Sequence, residues 1–310
     1  MKVKSYDIAA SISLLGAALL WAGSFSAMKV ALRAYDPMVV VFARMVIGSC
    51  CFLLGYRWLR GTVVRGRDWA LLLTMALCEP GLYFLFEAKA LTLTTSSQAG
   101  MISATLPLLV AVAAGLFLKE RITRRALLGL GLAIAGVCWL SVSGETRTDA
   151  PHPLLGNFLE FLAMVFAAGY TICLKLLSGR YTVYFLTAFQ SFVGAFFFLP
   201  FMLLPATTLP TTLPMVPSLA VVYLGIGVTM GAYGLYNFGV SRIPANQAAA
   251  FVNLIPVFAV FLGWLILEER FTSQQYLASL LVFLGIYINQ RGAGEEGKAA
   301  VAEPVAVDMV

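Results

Sequence analysis

The sequence predicts an all-α integral membrane protein whose ten transmembrane helices form two inverted five-helix repeats. Three observations carry that expectation. First, 60% of the residues are hydrophobic and only 12% are charged, with a mean hydropathy of +0.88. A soluble domain is about half apolar and a quarter charged, so too few charges are present to cover a water-facing surface. Second, the apolar residues gather into ten runs, each near the roughly 17–25 helical residues that cross a hydrocarbon layer of about 30 Å. Third, "QAGMISATLPLLVAVAAGLFLKERIT" from Gln98 returns as "QAAAFVNLIPVFAVFLGWLILEERFT" from Gln247.

The runs cover residues 8–32, 37–56, 69–88, 95–118, 126–143, 154–176, 182–204, 217–240, 245–267 and 275–290. They are continuously apolar, whereas barrel strands would alternate in segments of about ten residues. Backbone groups in lipid must be satisfied internally, so a helical bundle follows. Lys2 and Lys4 precede the first run as they would a signal peptide. That run exceeds the roughly 15-residue apolar core of a signal, so it stays as span 1. Before it lies a short N-terminus, 1–7. Spans 1–5 make a first repeat, 8–143, followed by a linker, 144–153. Spans 6–10 make a second, inverted repeat, 154–290. The loop "PATTLPTTLPMVP" before span 8 suits a stiff connector, and the tail 291–310 lacks helical periodicity and is expected to be disordered.

Charge gives the orientation. With ten spans both termini share a side with the even-numbered loops, and that side holds fourteen Lys and Arg, including Arg57, Arg60, Arg65, Arg67, Arg124 and Arg125. The odd-numbered loops hold four: Arg33, Lys89, Arg147 and Arg270. By the positive-inside bias both termini are cytoplasmic. The net charge of +6 is therefore a topology signal and calls for no nucleic-acid partner. Five cysteines (Cys50, Cys51, Cys78, Cys138, Cys173) fall inside spans at no metal-like spacing and read as small buried hydrophobes.

The repeat fixes the organisation. Gln98/Gln247, Pro107/Pro256, Glu120/Glu269, Arg121/Arg270, Thr123/Thr272 and Gly136/Gly285 all keep one offset of 149 residues. Nearer the start, Gly23/Gly169, Lys29/Lys175, Arg44/Gln190 and Gly48/Gly194 keep an offset of 146. Each half holds five helices, an odd number, so the second copy enters the membrane from the opposite side. Inverted repeats of this kind build many secondary transporters, with a central site exposed to alternate sides. The two copies ending in Lys119-Glu120-Arg121-x-Thr123 and Glu268-Glu269-Arg270-x-Thr272, together with Trp21-Ala22-Gly23-Ser24-Phe25 of span 1, resemble the EamA-type transporters of the drug/metabolite transporter superfamily. The resemblance covers about residues 8–290. It implies a carrier in which spans 1–4 and 6–9 surround a cavity and spans 5 and 10 are peripheral. It also implies small metabolites as cargo, with export the commonest bacterial role.

Ionisable residues inside spans are the strongest local signals, because each costs at least about 2.5 kcal/mol near the bilayer centre. They are Lys29, Arg44, Glu79, Glu87, Glu160 and Lys175. Glu79 lies near mid-span, directly before Pro80 and Gly81, a pair able to break the helix. It is the candidate substrate or proton carboxylate; the competing structural reading is neutralisation of Arg44. Arg44 and Glu87 read as an outer-side pair, and Lys29 and Lys175 as snorkelling or gating cations. Pro107 and Pro256 are expected to kink equivalent helices. Trp21, Tyr83, Gln98, Tyr170, Tyr233, Asn237, Gln247 and Asn253 complete the expected substrate-binding set.

Rival chemistries lack residues. His152, the one histidine, lies in the linker, no Walker A sequence occurs, and no nucleophile–base pair is visible. The expectation is a non-enzymatic carrier of the inner membrane, without cofactor or metal, exporting amino acids or related amphipathic solutes. Its partners would be a small-molecule substrate, the lipid bilayer and candidate protons, and the carrier would act as a monomer. Uptake, exchange and a non-transporting scaffold are the alternatives.

Overall fold

Short loops between long apolar segments force neighbouring helices to run antiparallel, and the fold follows that rule throughout. The computed structural model describes residues 7–55, 62–118 and 124–302. Among the described residues eight helices are long and apolar enough to span a membrane: α1 (Ile8–Leu32), α2 (Pro37–Leu54), α3 (Gly66–Leu91), α4 (Ser96–Phe117), α6 (Pro153–Leu177), α7 (Val183–Leu203), α8 (Met215–Arg242) and α9 (Gln247–Leu267). Two more, α5 (Arg124–Val142) and α10 (Ser273–Ala302), have shorter apolar stretches, Leu127–Val142 and Ser273–Ile288. No named strand occurs among the described residues. The face on which α1 begins is the basal face below, and the opposite one the distal face.

The starts of the helices are set by local capping. Asp7 accepts from the Ala10 amide at 3.1 Å, Asp36 from Met38 at 2.8 Å with Pro37 in the first turn, and Thr182 from Phe185 at 3.2 Å. Each supplies an acceptor to amides that have no partner within the helix. The loop before α8, rich in Pro and Thr, has no regular structure from 208 to 214 apart from one bend. Beyond residue 290 the backbone stays helical to Ala302, where the sequence alone suggests disorder.

Packing obeys the repeat. α1 lies against α8 and α9, and the equivalent α6 lies against α3 and α4. α2 contacts α7 and α8, matching α7 with α2 and α3. Equivalent helices also meet each other head to tail: the Ser96–Ile102 segment of α4 packs on Ile255–Leu267 of α9, and Leu106–Phe117 of α4 on Ala245–Ala250 beside the start of α9. That antiparallel match of like with like is the inverted symmetry in three dimensions.

α5 and α10 pair beside the bundle. Their closeness depends on the two repeat-related glycines. A Cβ on Gly136 would lie 2.9 Å from the Ala278 carbonyl oxygen, and one on Gly285 2.9 Å from the Ala133 nitrogen. Small residues are what let membrane helices approach backbone to backbone. Among the cysteines, Cys50 and Cys138 are exposed on the apolar surface and only Cys173 is fully buried, which corrects the expectation that all five are core residues. A cysteine facing lipid carries no burial penalty, so composition could not separate the two cases.

Candidate functional site

Pro80 shapes the centre of the molecule. It has no N–H and its ring clashes with a carbonyl one turn back, so the helix cannot continue regularly. The residue before a proline is also driven from the α region. Glu79 accordingly has extended φ/ψ of −149° and 119° inside the π-like segment Leu77–Leu82, midway along α3. The break places its carboxylate in the interior, where it is buried at 5% exposure and accepts a hydrogen bond from the Tyr233 hydroxyl of α8.

Glu79 lines a narrow cavity of about 30 Å³, room for two or so water molecules. Around it stand Trp21 and Phe25 of α1, Tyr83 of α3, Tyr170 of α6 and Tyr236 of α8. Leu106 and Ile255 close it, each beside the proline of its helix. Both repeats thus contribute to one mid-height chamber. Trp21 is wedged between Tyr233 and Tyr236, with centroids 5.3 and 4.9 Å away. Aromatic faces around one carboxylate suit a cation with an apolar body. The chamber's free volume of about 30 Å³ is smaller than a metabolite would fill in this conformation.

Two polar clusters flank the chamber. On the distal side, Arg44 of α2 donates through Nε to Thr229 Oγ1 at 3.1 Å, and its guanidinium lies 4.2 Å over the Phe84 ring. Its Nη1 is 4.0 Å from Glu87 Oε2, and Tyr83 donates its hydroxyl to Glu87 Oε1 at 2.7 Å. On the basal side, the Tyr170 hydroxyl is 2.8 Å from Gln190 Oε1 and 2.6 Å from Asn237 Oδ1. Asn237 donates through Nδ2 to Thr187 Oγ1 at 2.8 Å. Arg44 therefore reaches Glu87, while Glu79 is held by a tyrosine.

Of the residues expected to bind substrate, Glu79, Trp21, Tyr83 and Tyr170 line the chamber. Tyr233 stands one contact behind it through Glu79, and Asn237 behind Tyr170. Three others are not in its wall. Gln98 accepts from Asn157 Nδ2 at 2.7 Å near the distal end of α4, and Gln247 is exposed at the basal end of α9. Both sit in the first turn of their helices, far in height from the centre. Asn253 lies on the 3₁₀ turn Phe251–Leu254 beside the cavity-lining Val252, with its own amide buried and without a hydrogen-bond partner among the described residues. Lys29 donates to the Asp149 carbonyl at 2.5 Å, and Lys175 to the carbonyls of Val240 and Ile243 at 2.8 and 2.7 Å. Each cation thus closes a helix or loop end away from the chamber. Pro107 and Pro256 each open an α segment directly after a 3₁₀ turn, Ser103–Thr105 and Phe251–Leu254.

Glu269 has a larger role than its place at a span end suggests. Buried at 3% exposure, it accepts from the amides of Ser96 and Ser97, both at 2.8 Å, and from the Ser96 hydroxyl at 3.0 Å. It caps α4 from across the repeat boundary, as an anion at a helix N-terminus does. Glu268 makes this possible by taking the left-handed conformation, φ 57°, at the end of α9. The signal was the repeated Glu itself. Its first-copy counterpart Glu120, with Lys119, Arg121 and Thr123, lies outside the described residues.

Comparison with known proteins places this geometry. The chain is 33% identical over 197 residues to the "Uncharacterized transporter YetK" of Bacillus subtilis (strain 168), a match spanning 63% of this chain and 60% of YetK. It is 26% identical over 271 residues to an "Uncharacterized transporter" of Archaeoglobus fulgidus, covering 87% of this chain and 93% of the relative. A "Probable terminal-alkyne amino-acid exporter" of Streptantibioticus cattleyicolor is 24% identical over 282 residues, covering 90% of this chain and 93% of that protein. One crystal structure superposes with a TM-score of 0.68 at 21% identity, over 92% of this chain and 98% of the other, and so shares the fold. The EamA-like transporter family matches twice, over residues 8–142 and 154–290, once for each five-helix half. Two family units, meeting antiparallel around a central chamber, make this chain a member of the EamA-like transporter family.

Proposed function

We propose that the protein exports small amphipathic metabolites bearing a cationic nitrogen, amino acids or their derivatives, across the inner membrane by alternating access. The observation that carries this reading is the mid-height chamber in which Glu79 faces Trp21, Tyr83, Tyr170 and Tyr236. A carboxylate there offsets an ammonium group, and the aromatic faces accommodate both the cation and an apolar side chain. Sequence similarity to a probable amino-acid exporter supports the same class. The charge bias makes the basal face cytoplasmic. Opening on each side in turn requires the helices of one repeat to move against those of the other, with the proline-opened segments of α4 and α9 as the places where they bend. The carrier works as a monomer and has no catalytic step.

The test compares medium and cytosol metabolites from cells with wild type, Glu79→Gln or empty vector at matched membrane levels. The expected result is one amine-bearing class enriched several-fold in the medium with wild type and lost with Glu79→Gln. Enrichment that survives the substitution would remove Glu79 from the site. Enrichment in the cytosol would replace export with uptake, and identical profiles would leave a scaffold.

A further inference from the structure

The chamber does not account for Glu160. This carboxylate lies seven residues into α6, fully buried, and neither of its oxygens has a hydrogen-bond partner among the described residues. Burying an ionised carboxylate costs several kcal/mol unless it is paired or protonated, so an orphaned one requires an explanation. Its neighbours follow from the packing of α6 on α3. Gly156 lies against Ala90 and Gly169 against Cys78. Running antiparallel in that register, α6 brings Glu160 level with Glu87, and Met164 level with Tyr83. Glu87 is the residue whose charge acts on Glu160.

Two buried carboxylates therefore stand at one level on packed helices, with the one guanidinium of Arg44 on Glu87. One Nη of Arg44 is itself buried without a hydrogen-bond partner among the described residues. In a low-dielectric interior each negative charge raises the cost of the other, so the state holding one proton between the two carboxylates is favoured over the doubly ionised one. The surroundings are otherwise poor in ionisable groups. From α3 come Glu87 and Tyr83, and from α2 Arg44, beyond Glu87. From α8 come Tyr233, on Glu79, and Tyr236, on Thr171. α4 and the Ala245–Ala250 segment carry no ionisable side chain, Cys138 of α5 is exposed, and Arg124 and Arg125 lie at the opposite end of α5.

The pair is connected in both directions. Outward, Asn157 sits one turn from Glu160. It accepts from Thr94 Oγ1 at 2.6 Å and donates to Gln98 Oε1 at 2.7 Å and Ser141 Oγ at 3.0 Å. This polar cluster leads to the distal end of the bundle through residues that are individually neutral. Inward, Tyr83 donates to Glu87 and also forms part of the chamber wall, about 6 Å nearer the centre by helical rise.

We propose that Glu87 and Glu160 form a proton-exchange site on the distal shoulder of the chamber, reached through the Gln98–Asn157 cluster and linked to the substrate by Tyr83. The proposal rests on the transport reading and supplies its driving ion. A proton from the distal side adds to one carboxylate oxygen of the pair, leaving one acid, one carboxylate and the Arg44 cation. Its departure leaves two carboxylates, and the added negative charge alters how Glu87 holds Arg44 and Tyr83. The chamber wall thereby changes with the protonation state.

The test needs no substrate. Infrared spectra of the full chain in phosphatidylethanolamine/phosphatidylglycerol nanodiscs are recorded as pH is raised, in H₂O and D₂O, for wild type, E160Q, E160D, E87Q and E79Q. Wild type is expected to show a buried carboxylic-acid C=O band that shifts in D₂O and is lost on titration. E160Q removes that band, E160D moves its frequency, E87Q changes the pH of its loss, and E79Q leaves it in place. A band unaltered in E160Q, or in E160D should E160Q fail to fold, overturns the proposal, as does a wild type without such a band. Export lost while the band behaves as expected would instead count against the transport reading alone.

Discussion

The distal and basal flanks of the chamber share one backbone plan and differ in charge. Tyr83 and Tyr233 each open the α segment that follows a π-like stretch, in equivalent helices α3 and α8. Counting on from them, Glu87 corresponds to Asn237, and the repeat already pairs Arg44 with Gln190. Arg44 and Glu87 are 4.0 Å apart on the distal side, and Asn237 Nδ2 lies 3.5 Å from Gln190 Oε1 on the basal side. A tyrosine hydroxyl completes each cluster. Duplication thus preserved geometry while one copy became ionic and the other neutral. The two flanks share one scaffold, and the difference between them lies in charge.

The largest effect should come from erasing that asymmetry by halves. Arg44→Gln leaves Glu87 buried without its cation and should cost about 3–5 kcal/mol, the usual result of breaking a buried pair. It should be seen as a large fall in melting temperature in detergent. Arg44→Gln with Glu87→Asn rebuilds the neutral cluster on the distal side and should recover most of the loss. A double variant as unstable as the single one would show that the two flanks are not interchangeable.

Next in size is the neutral flank. Asn237→Ala removes the amide that links Tyr170 to Thr187 but leaves Tyr170 on Gln190 and Thr187 on the Val183 carbonyl, and should cost about 0.5–1.5 kcal/mol, read in the same thermal assay. A loss as large as that of Arg44→Gln would erase the distinction drawn between ionic and neutral clusters.

The smallest effect concerns an ion pair outside the membrane interior. Asp7 accepts from the Ala10 amide and pairs with Arg242 at 3.1 Å. Mainly the amide hydrogen bond, and next Arg242, hold its carboxyl below the ordinary value of 3.8. A lowered folded-state pKa stabilises the fold above the ordinary carboxylate pKa, and the contribution disappears as pH falls through the folded value. Asp7→Asn should therefore lower the melting temperature slightly at neutral pH, and the difference should shrink as pH falls below the ordinary carboxylate value. A difference that grows on acidification would contradict the assignment.

Much of the architecture was legible in sequence because lipid leaves few options. Run length and polarity gave the spans, and Gln98 to Thr123 repeating as Gln247 to Thr272 gave the two halves. Pro80 beside an intramembrane Glu79 marked the centre, since a proline must break a helix and a buried carboxylate must have a use. The same repeat misled where it was read as chemistry. Gln98 and Gln247 sit in the first turns of their helices, away from the chamber wall, and Glu269 caps α4 from the other half.

What the sequence determined by itself is therefore local and periodic: which segments cross, that they are duplicated with opposite sense, and where the backbone must break. Only the tertiary structure decided partners. Which cation meets Glu87, which hydroxyl holds Glu79, and that Glu160 stands beside Glu87 depend on the register between helices. That register is set by where a glycine such as Gly156 lets backbones close and one such as Gly169 makes room for a facing side chain, that of Cys78. Such approach is a property of two surfaces together, and neither strand of sequence carries it alone.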